Sequence, residues 1–447
     1  MKKLLILGGG ESGVGAARLG LQLGYDVFLS DRGRLSDPYR QALEEMGVSF
    51  EEGGHSRDRM VGIELVVKSP GIPDTLPLVE NLRRTGAEVI SEIEFAGRHA
   101  DAPMYGITGS NGKTTTTLLL HHLLRCGGQD VGLAGNVGSS LAAQVADHRH
   151  AAYVVELSSF QLDGMYRFRC NSAILTNITP DHLDRYNYQF ERYVDSKFRV
   201  INNMLPEDLF VYGADCDVVR DRVEHTRVVP ETLSFTYRDN PSSAAAWMEG
   251  NRLVARWRDR RFSIDKREIS IQGRHNVYNA MAALLVAMKT GISDDHLHRG
   301  LTTFPQVEHR LERVATINGV TYINDSKATN VDSAWYALES MQQPVIWIAG
   351  GTDKGNDYEV LKTLAREKVK TLVCMGVDNA KLISAFAGVC EIVDTRSLQE
   401  AMTAAVSRSL PGDAVLLSPC CASFDLFKNY EDRGRQFKSA VEELTKR

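Results

Sequence analysis

The segment Gly106–Thr117 reads Gly-Ile-Thr-Gly-Ser-Asn-Gly-Lys-Thr-Thr-Thr-Thr, and its residue types suit the binding of phosphate. A short apolar run precedes it, and the helix-forming run Leu118–Leu124 follows. A glycine-rich turn at a helix N-terminus aims several backbone N–H groups and the positive end of the helix dipole at one point. Lys113 adds a full positive charge, and the Thr114 hydroxyl can reach a Mg²⁺ held by the same phosphates. The loop therefore reads as a nucleoside triphosphate site. It departs from the G-x-x-x-x-G-K-[ST] pattern at Ile107, where the first glycine would stand, while Gly109 and Gly112 remain to make the tight turn.

A second glycine cluster, Gly8-Gly-Gly10-Glu-Ser-Gly13, follows the apolar run Leu4–Leu7. Asp31 comes roughly 18 residues later, the spacing of a ribose-binding acid. Taken alone, this predicts a dinucleotide, but a diphosphate beside a ribose in a UDP group satisfies the same geometry. A separate triphosphate loop favours a nucleotide-linked substrate over a nicotinamide here.

Downstream, Glu156 ends the apolar run Ala151–Val155, and Asn177-Ile-Thr-Pro-Asp-His182 follows another at Ala173–Thr176. Phosphoryl chemistry needs a divalent metal, and Mg²⁺ prefers oxygen ligands, so Glu156 is the stronger candidate and His182 its partner. Each also has a plain structural reading, as a solvated strand end and a packed histidine. His121 and His122, in an apolar helix, are assigned to packing. By spacing alone Lys197 reads as a helix-surface lysine with no chemistry.

Several α/β blocks must position these residues. Strand runs at Leu4–Leu7, Asp26–Ser30 and Leu65–Lys68 alternate with helical runs at Val14–Leu23 and Tyr39–Met46, which predicts a parallel sheet covered on both faces. The turn Ser69–Pro73 lies at a strand's carboxyl end, where such sheets bind ligands. A second block starts with Met104–Thr108 and includes strands near Tyr153–Glu156 and Ala173–Thr176, with a long helix from Asn276 to about Thr290. Residues 209–272 carry short runs with Arg and Asp alternating, read as a smaller mixed sheet. A third block carries strands at Thr321–Asn324, Pro344–Ala349, Thr371–Met375 and Ala414–Leu417. The expected fold is α/β with three domains: Rossmann-like over 1–94, a P-loop-type ATPase with a mostly parallel sheet over 95–303, and Rossmann-like again over 304–447.

The 447 residues are 43% hydrophobic and 24% charged, ordinary for a globular chain with several cores. A net charge of −5 gives no reason to expect nucleic-acid or membrane binding. No run approaches the roughly 18 apolar residues of a membrane span, and Met1–Leu7 is too short an apolar segment for a signal peptide. The seven cysteines form no C-x-x-C pair, so reduced cytoplasmic thiols are the simplest reading.

Together, Thr108–Thr114, Glu156–Gln161, Asn177–His182, Gly273–Asn276, His309-Arg310, Asn324–Asn330 and Ser418–Phe424 make this chain resemble the muramyl ligases, the ATP-dependent amide-forming enzymes of peptidoglycan precursor assembly. Asn324–Asn330 looks like the version in the D-glutamate-adding branch, and the Asp-Asn-Pro-Arg signature of the diamino-acid-adding branch is absent. The resemblance implies UDP-N-acetylmuramoyl-L-alanine, D-glutamate and ATP as small-molecule substrates, with Mg²⁺, two ions being expected, and a monomeric cytoplasmic enzyme. ATP would be held by Gly109, Ser110, Asn111, Gly112, Lys113, Thr114 and Thr115, with Asn276 on adenine and Arg310 and Asp325 on phosphates and ribose. The catalytic set would be Lys113, Glu156, His182 and Lys197. Metal would lie on Thr114, Glu156, His182 and Lys197, the last matching a position that is carbamylated in the family. The UDP-linked substrate would meet Gly10, Glu11, Ser12, Asp31, Arg32, Gly71, Asn136 and Ser159. D-Glutamate would meet Lys327, Thr329, Lys354, Ser423 and Tyr430. At Thr352 the family often has an acid; here Asp353 is displaced by one position, which leaves that acid's role open. Domain closure, excluding water from an acyl phosphate, is expected.

Three other readings stand beside this one. A folylpolyglutamate-type or other muramyl ligase shares the ATP site, but the former lacks a UDP domain. An NAD-dependent oxidoreductase would use Gly8–Gly13. A catalytically dead nucleotide-binding regulator is disfavoured by the intact Lys113, Glu156 and His182.

Overall fold

Three sheets carry the chain in this computed structural model, which describes residues 2–239 and 243–445. Met1, Lys446 and Arg447, and residues 240–242 within the 209–272 stretch, lie outside the described residues. The first sheet has five strands: β1 (Lys3–Leu7), β2 (Asp26–Ser30), β3 (Ser49–Glu51), β4 (Leu65–Lys68) and β5 (Glu88–Ser91), in the order β3-β2-β1-β4-β5. All its pairings are parallel. Leu4 to Leu7 are fully buried, as a strand covered on both faces requires. Sequence patterning finds β1, β2 and β4. It misses β3 and β5, which are three and four residues long and begin or end on Glu.

The second sheet has nine strands: β6 (Met104–Thr108), β7 (Val131–Gly135), β8 (Ala152–Glu156), β9 (Ser172–Leu175), β10 (Leu209–Gly213), β11 (Glu231–Asp239), β12 (Ala246–Glu249), β13 (Arg252–Trp257) and β14 (Arg260–Asp265). Their order is β14-β13-β12-β11-β10-β9-β6-β8-β7. This corrects one expectation: the strands of 209–272 form no separate sheet. β10 pairs parallel with β9, so the ladder continues without a break into the antiparallel meander β12–β14.

The third sheet, β15 (Glu312–Ile317), β16 (Val320–Asn324), β17 (Val345–Gly350), β18 (Val369–Met375), β19 (Glu391–Thr395) and β20 (Ala414–Cys420), runs in the order β15-β16-β20-β17-β18-β19. Only β15 pairs antiparallel.

The chain divides into two compact units, Met1–Ile269 with Val277–Thr303, and Ser270–Asn276 with Phe304–Arg447. Within the first unit, two buried acids on the helix Glu92–Gly97 tie the first sheet to the second. Glu92 accepts from Ser140 Oγ at 2.6 Å and from the Ala142 N–H at 2.7 Å, capping the helix Leu141–Asp147. Burial pushes the Glu92 carboxyl up, against the pull of these bonds. Glu94 accepts from the N–H groups of Tyr166, Arg167 and Phe168 at 2.8–3.0 Å and from Arg98 Nε at 2.7 Å. Glu11 adds a bond from the Ser140 N–H at 3.1 Å. A side chain at Gly15 would collide with Ser140, so that glycine lets the two elements meet.

Candidate active site

The central sheet's order places the phosphate loop between two functional strand ends. β6 pairs with β8 through Ile107 opposite Glu156, and with β9 through Thr108 opposite Leu175. Glu156 therefore flanks the loop on one side and Thr176–His182 on the other. Ile107, the departure from the glycine pattern, is a buried strand residue. The tight turn belongs to Gly109 (φ +143°) and Gly112 (φ +83°), conformations that L side chains rarely adopt. A Cβ at Gly109 would run into Thr176 Oγ1, and one at Gly112 into Asn279 Oδ1.

The 176–179 segment sets the loop's shape. Thr176 Oγ1 donates to Asn111 O at 2.6 Å, and the Asn177 side chain accepts from Asn111 N at 2.9 Å and donates to Asn111 O at 3.1 Å. Ser110 Oγ meets the Tyr193 hydroxyl at 3.0 Å and Thr179 O at 2.9 Å. Lys113 opens the helix Lys113–Cys126 and curls back, its Nζ donating to Gly109 O at 2.8 Å and Ser110 O at 2.7 Å. Thr114 and Thr115 are buried in the first turn. The sequence marks Asn177 only as the first residue of the Asn177–His182 motif, with no role, and gives Thr176 and Tyr193 none. No local signal gives these roles, because the partners Asn111 and Ser110 lie dozens of residues away.

Lys197 corrects the spacing-only reading: it is 2% exposed, not a surface lysine. The helix Phe190–Phe198 sets it one turn after Tyr193, over whose ring its Nζ lies at 5.3 Å, and it donates to Thr108 Oγ1 at 3.2 Å. Burial, with the nearby Lys113 charge, pushes its amine well below the usual lysine range; Asp181, Glu156 and Asp163 pull weakly the other way. Such an amine gives up its proton more readily than a solvated lysine and is the better nucleophile for it. Glu156, 1% exposed, accepts from Asn136 Nδ2 at 2.9 Å. His182 adopts a left-handed backbone (φ +52°), with Nε2 3.6 Å from Asp181 Oδ2 and its ring edge-on to Phe160. Thr114 and Glu156 supply the oxygen donors that Mg²⁺ prefers, so the residues present fit the ion. His121, assigned to packing, bonds Val131 O at 3.1 Å, and His122 meets Thr303 Oγ1 at 3.2 Å.

At the carboxyl end of β2, Asp31 accepts from Gly9 N of the glycine turn at 2.6 Å and from Gly33 N in its own turn at 2.7 Å. Gly10 caps the helix Glu11–Gln22, which places Glu11 and Ser12 in its first turn. Arg32 and Gly71 are exposed, and Ser159 is buried, its carbonyl accepting from Ser196 Oγ at 3.0 Å. Arg185 reaches Pro70 O at 3.3 Å and Gly71 O at 3.4 Å and stacks over Phe160 at 4.3 Å.

In the second unit, Asp325 follows β16, 6% exposed, and accepts from Ser418 Oγ at 2.8 Å and Leu311 N at 3.1 Å. Burial outweighs these bonds and the Arg310 charge, pushing the carboxyl up to about 7. Lys327 lies over the Tyr430 ring at 5.2 Å, and Thr329 closes the same turn through its N–H to Lys327 O. Ser423 is buried, Lys354 is exposed, and Asn276 Nδ2 donates to Gln272 O at 2.8 Å. Asp353 builds the turn at Gly355, accepting from Gly355 N, Asn356 N, Lys381 Nζ and the Tyr358 hydroxyl.

Arg433 was not anticipated. It is 1% exposed and donates to Ser326 Oγ and O at 3.0 and 2.8 Å and to Cys421 O at 3.3 Å, joining the Asp325–Thr329 turn to the loop after β20. Burial lowers its guanidinium to about 10.

Residues 2–91 match the Mur ligase MurD-like N-terminal domain, 107–287 the Mur ligase middle domain, and 309–421 the Mur ligase glutamate ligase domain. The UDP-N-acetylmuramoylalanine–D-glutamate ligase of Christiangramia forsetii is 49% identical over 444 residues, covering 99% of this chain and 100% of the relative. The chain belongs to the Mur ligase family. The enzyme of the same name from Porphyromonas gingivalis is 49% identical, with 98% of each chain covered. Solved Mur ligase structures share the fold. The pseudomurein peptide ligase type C of Methanothermus fervidus aligns at TM-score 0.64 and 19% identity over 99% of this chain and 100% of that one. The UDP-N-acetylmuramate–alanine ligase of Thermotoga maritima aligns at 0.63 and 18% over 99% and 100%. This Mur ligase has the family's three-domain architecture and is an ATP-dependent carbon–nitrogen ligase of peptidoglycan synthesis, using ATP with Mg²⁺. Among the described residues no helix is long and apolar enough to cross a membrane.

Proposed function

We propose that this Mur ligase joins D-glutamate to UDP-N-acetylmuramoyl-L-alanine, releasing ADP and phosphate. Relatives bearing that activity in their names are 41% to 49% identical over nearly the whole chain. The observation that carries the chemistry is the phosphate loop flanked by Glu156 and Thr176–His182, with Lys197 buried beside it. ATP's γ-phosphoryl passes to the L-alanyl carboxylate oxygen, giving an acyl phosphate and ADP. The D-glutamate amine attacks the acyl carbon, a tetrahedral intermediate forms, the amine loses a proton, and phosphate leaves with the former carboxylate oxygen.

Lys113 and the loop amides from Gly109 to Thr115 orient the β- and γ-phosphates for in-line transfer. Thr114 and Glu156 would hold one Mg²⁺, and His182 with Lys197 a second. When bound, Mg²⁺ neutralises charge developing on the transferred group. Lys197 suits carbamylation: its neutral amine attacks the carbon of CO₂, a nitrogen–carbon bond forms, and one N–H proton leaves to solvent, producing an anionic oxygen donor. Asn276, Arg310 and Asp325 are assigned to adenine, phosphate and ribose. Gly10, Glu11, Ser12, Asp31, Arg32, Gly71, Asn136 and Ser159 are assigned to the UDP-linked substrate. Lys327, Thr329, Lys354, Ser423 and Tyr430 are assigned to D-glutamate, whose two carboxylates suit cationic and hydroxyl donors. We place domain boundaries at 94/95 and 303/304, and take the enzyme to be monomeric and cytoplasmic, in keeping with its seven free cysteines.

The test is phosphate release with a panel of D- and L-amino acids and UDP-N-acetylmuramoyl-L-alanine. Release confined to D-glutamate, and abolished in Lys113→Ala, is expected. Equal release with other amino acids would remove the substrate assignment, and normal turnover in the variant would remove the loop's role.

A further inference from the structure

The amino-terminal ends of β7 and β8 carry a cluster that none of the chemistry above uses. Asp130 immediately precedes β7, and the sequence His148-Arg149-His150 leads into β8. The strand register, Val131 opposite Ala152, brings the two segments together. One ligand atom from each of Asp130, His148 and His150 lies within 4.8 Å of the others. His150 Nδ1 is 2.7 Å from Asp130 Oδ1, and His148 Nε2 is 3.9 Å from Asp130 Oδ2.

The arrangement is built rather than accidental. His148 is extended (φ −148°, ψ 109°), so side chains two residues apart share a face while the one between them turns away. Arg149 accordingly points to Asp101, 3.8 Å off, and keeps its charge out of the cluster. Tyr153, 1% exposed, fixes the approach. Its hydroxyl accepts from His150 N at 3.2 Å and donates to His148 O at 3.4 Å, and its ring packs edge-on to the His150 imidazole. Gly132 leaves the room that ring needs, since a Cβ there would sit 2.7 Å from His150 Cδ2.

We propose that Asp130, His148 and His150 form a binding site for a borderline transition-metal cation, Zn²⁺ being the fitting ion, separate from the Mg²⁺ of catalysis. Two imidazoles and one carboxylate converging on a point match zinc's preference for nitrogen and oxygen donors and suit Mg²⁺ poorly. Tetrahedral ligand bonds of about 2.0–2.2 Å set donors roughly 3.4 Å apart, so zinc replaces the His150–Asp130 hydrogen bond, its two atoms parting slightly, while His148, two-thirds exposed, swings in. Three protein donors leave a coordination position for water. The site sits at the end of β7 and β8 opposite Glu156, roughly 15 Å along five-residue strands, so it fastens two neighbouring strands and contributes nothing to phosphoryl transfer.

The experiment takes the chelator-treated full chain in millimolar Mg²⁺, which fills oxygen-donor sites, and measures Zn²⁺ uptake by equilibrium dialysis together with the thermal midpoint. The double variant His148→Ala/His150→Ala is the comparison, and thiol-bound zinc is common to both proteins and cancels. Expected is one more Zn²⁺ per chain in the native protein, a Zn²⁺-dependent rise in midpoint that the variant lacks, and unchanged ligase turnover without zinc. Asp130→Asn should weaken uptake by about tenfold or more. Equal uptake and equal midpoint shifts in native protein and double variant would overturn the assignment.

Discussion

Replacing Lys197 by Met removes the one buried amine beside the phosphate loop while keeping an unbranched side chain of similar length. An unfolded lysine titrates near 10.4, whereas burial and the Lys113 charge hold the folded one well below that. Between the folded and unfolded values the unfolded chain binds one proton more than the native one. Stability therefore rises with pH across that window, by up to ~1.4 kcal/mol per pH unit, and is lost as pH falls through the folded value. From pH 7 to 9 the native protein should gain stability over Lys197→Met. At about 2–4 °C per kcal/mol for a large domain, that slope is a relative rise of at most about 3–6 °C per pH unit. Calorimetry in CO₂-free buffer at pH 7, 8 and 9 resolves the transition of the unit that contains it. Parallel pH profiles for the two proteins would show that the lysine titrates as if solvated and would sink the argument. Bicarbonate added at pH 8 should raise the midpoint of the native protein alone.

Three more outcomes follow from other residues. Gly109→Ala puts a Cβ against Thr176 Oγ1 at φ +143°, a strain of about 1–3 kcal/mol, and should cost at least about tenfold in ATP turnover; unaltered steady-state kinetics would contradict the clamp. Asp325, protonated in the folded state up to about 7, makes native stability fall as pH rises from about 4 to 7, because the unfolded carboxyl has already lost its proton. Asp325→Asn should abolish that fall in thermal scans, and an unchanged slope would count against it. Arg433→Met strands the carbonyls of Ser326 and Cys421 at about 1–3 kcal/mol each. It also relieves roughly 3 kcal/mol of charge burial, given the drop from 12.5 to about 10. Stability should change little while KM for D-glutamate rises, and an unchanged KM would remove Arg433 from the positioning of Lys327 and Thr329.

The phosphate loop was legible because its determinants are contiguous: a strand, two glycines that take positive φ, a lysine and a helix. Asp31 reads from its spacing as a ribose-binding acid, and its bond from Gly9 N, 22 residues away, is one that no local pattern shows. The clamp was not legible, since Asn177 acts through a strand register that no local pattern encodes. Lys197 misled because a single helical lysine is normally solvated, and only the packing of the helix Phe190–Phe198 buries it. The strands of 209–272 were found as strands, but alternation reports which face a residue takes and not which neighbour a strand joins. Arg433 escaped because a buried arginine with no carboxylate bonded to it among the described residues runs against the usual distribution of charge.

Glu92 and Glu94 set a rule for recombination. A chimera that cuts a Mur ligase of this kind near residue 95 and grafts a foreign nucleotide-sugar module would leave the Ser140 cap and the amides of residues 166–168 facing unfamiliar chemistry. The first two sheets thus belong to one compact unit, whose chain is interrupted where Ser270–Asn276 joins the other. Libraries shuffled at 269/270, 276/277 and 303/304 should yield more soluble hybrids than libraries shuffled at 95.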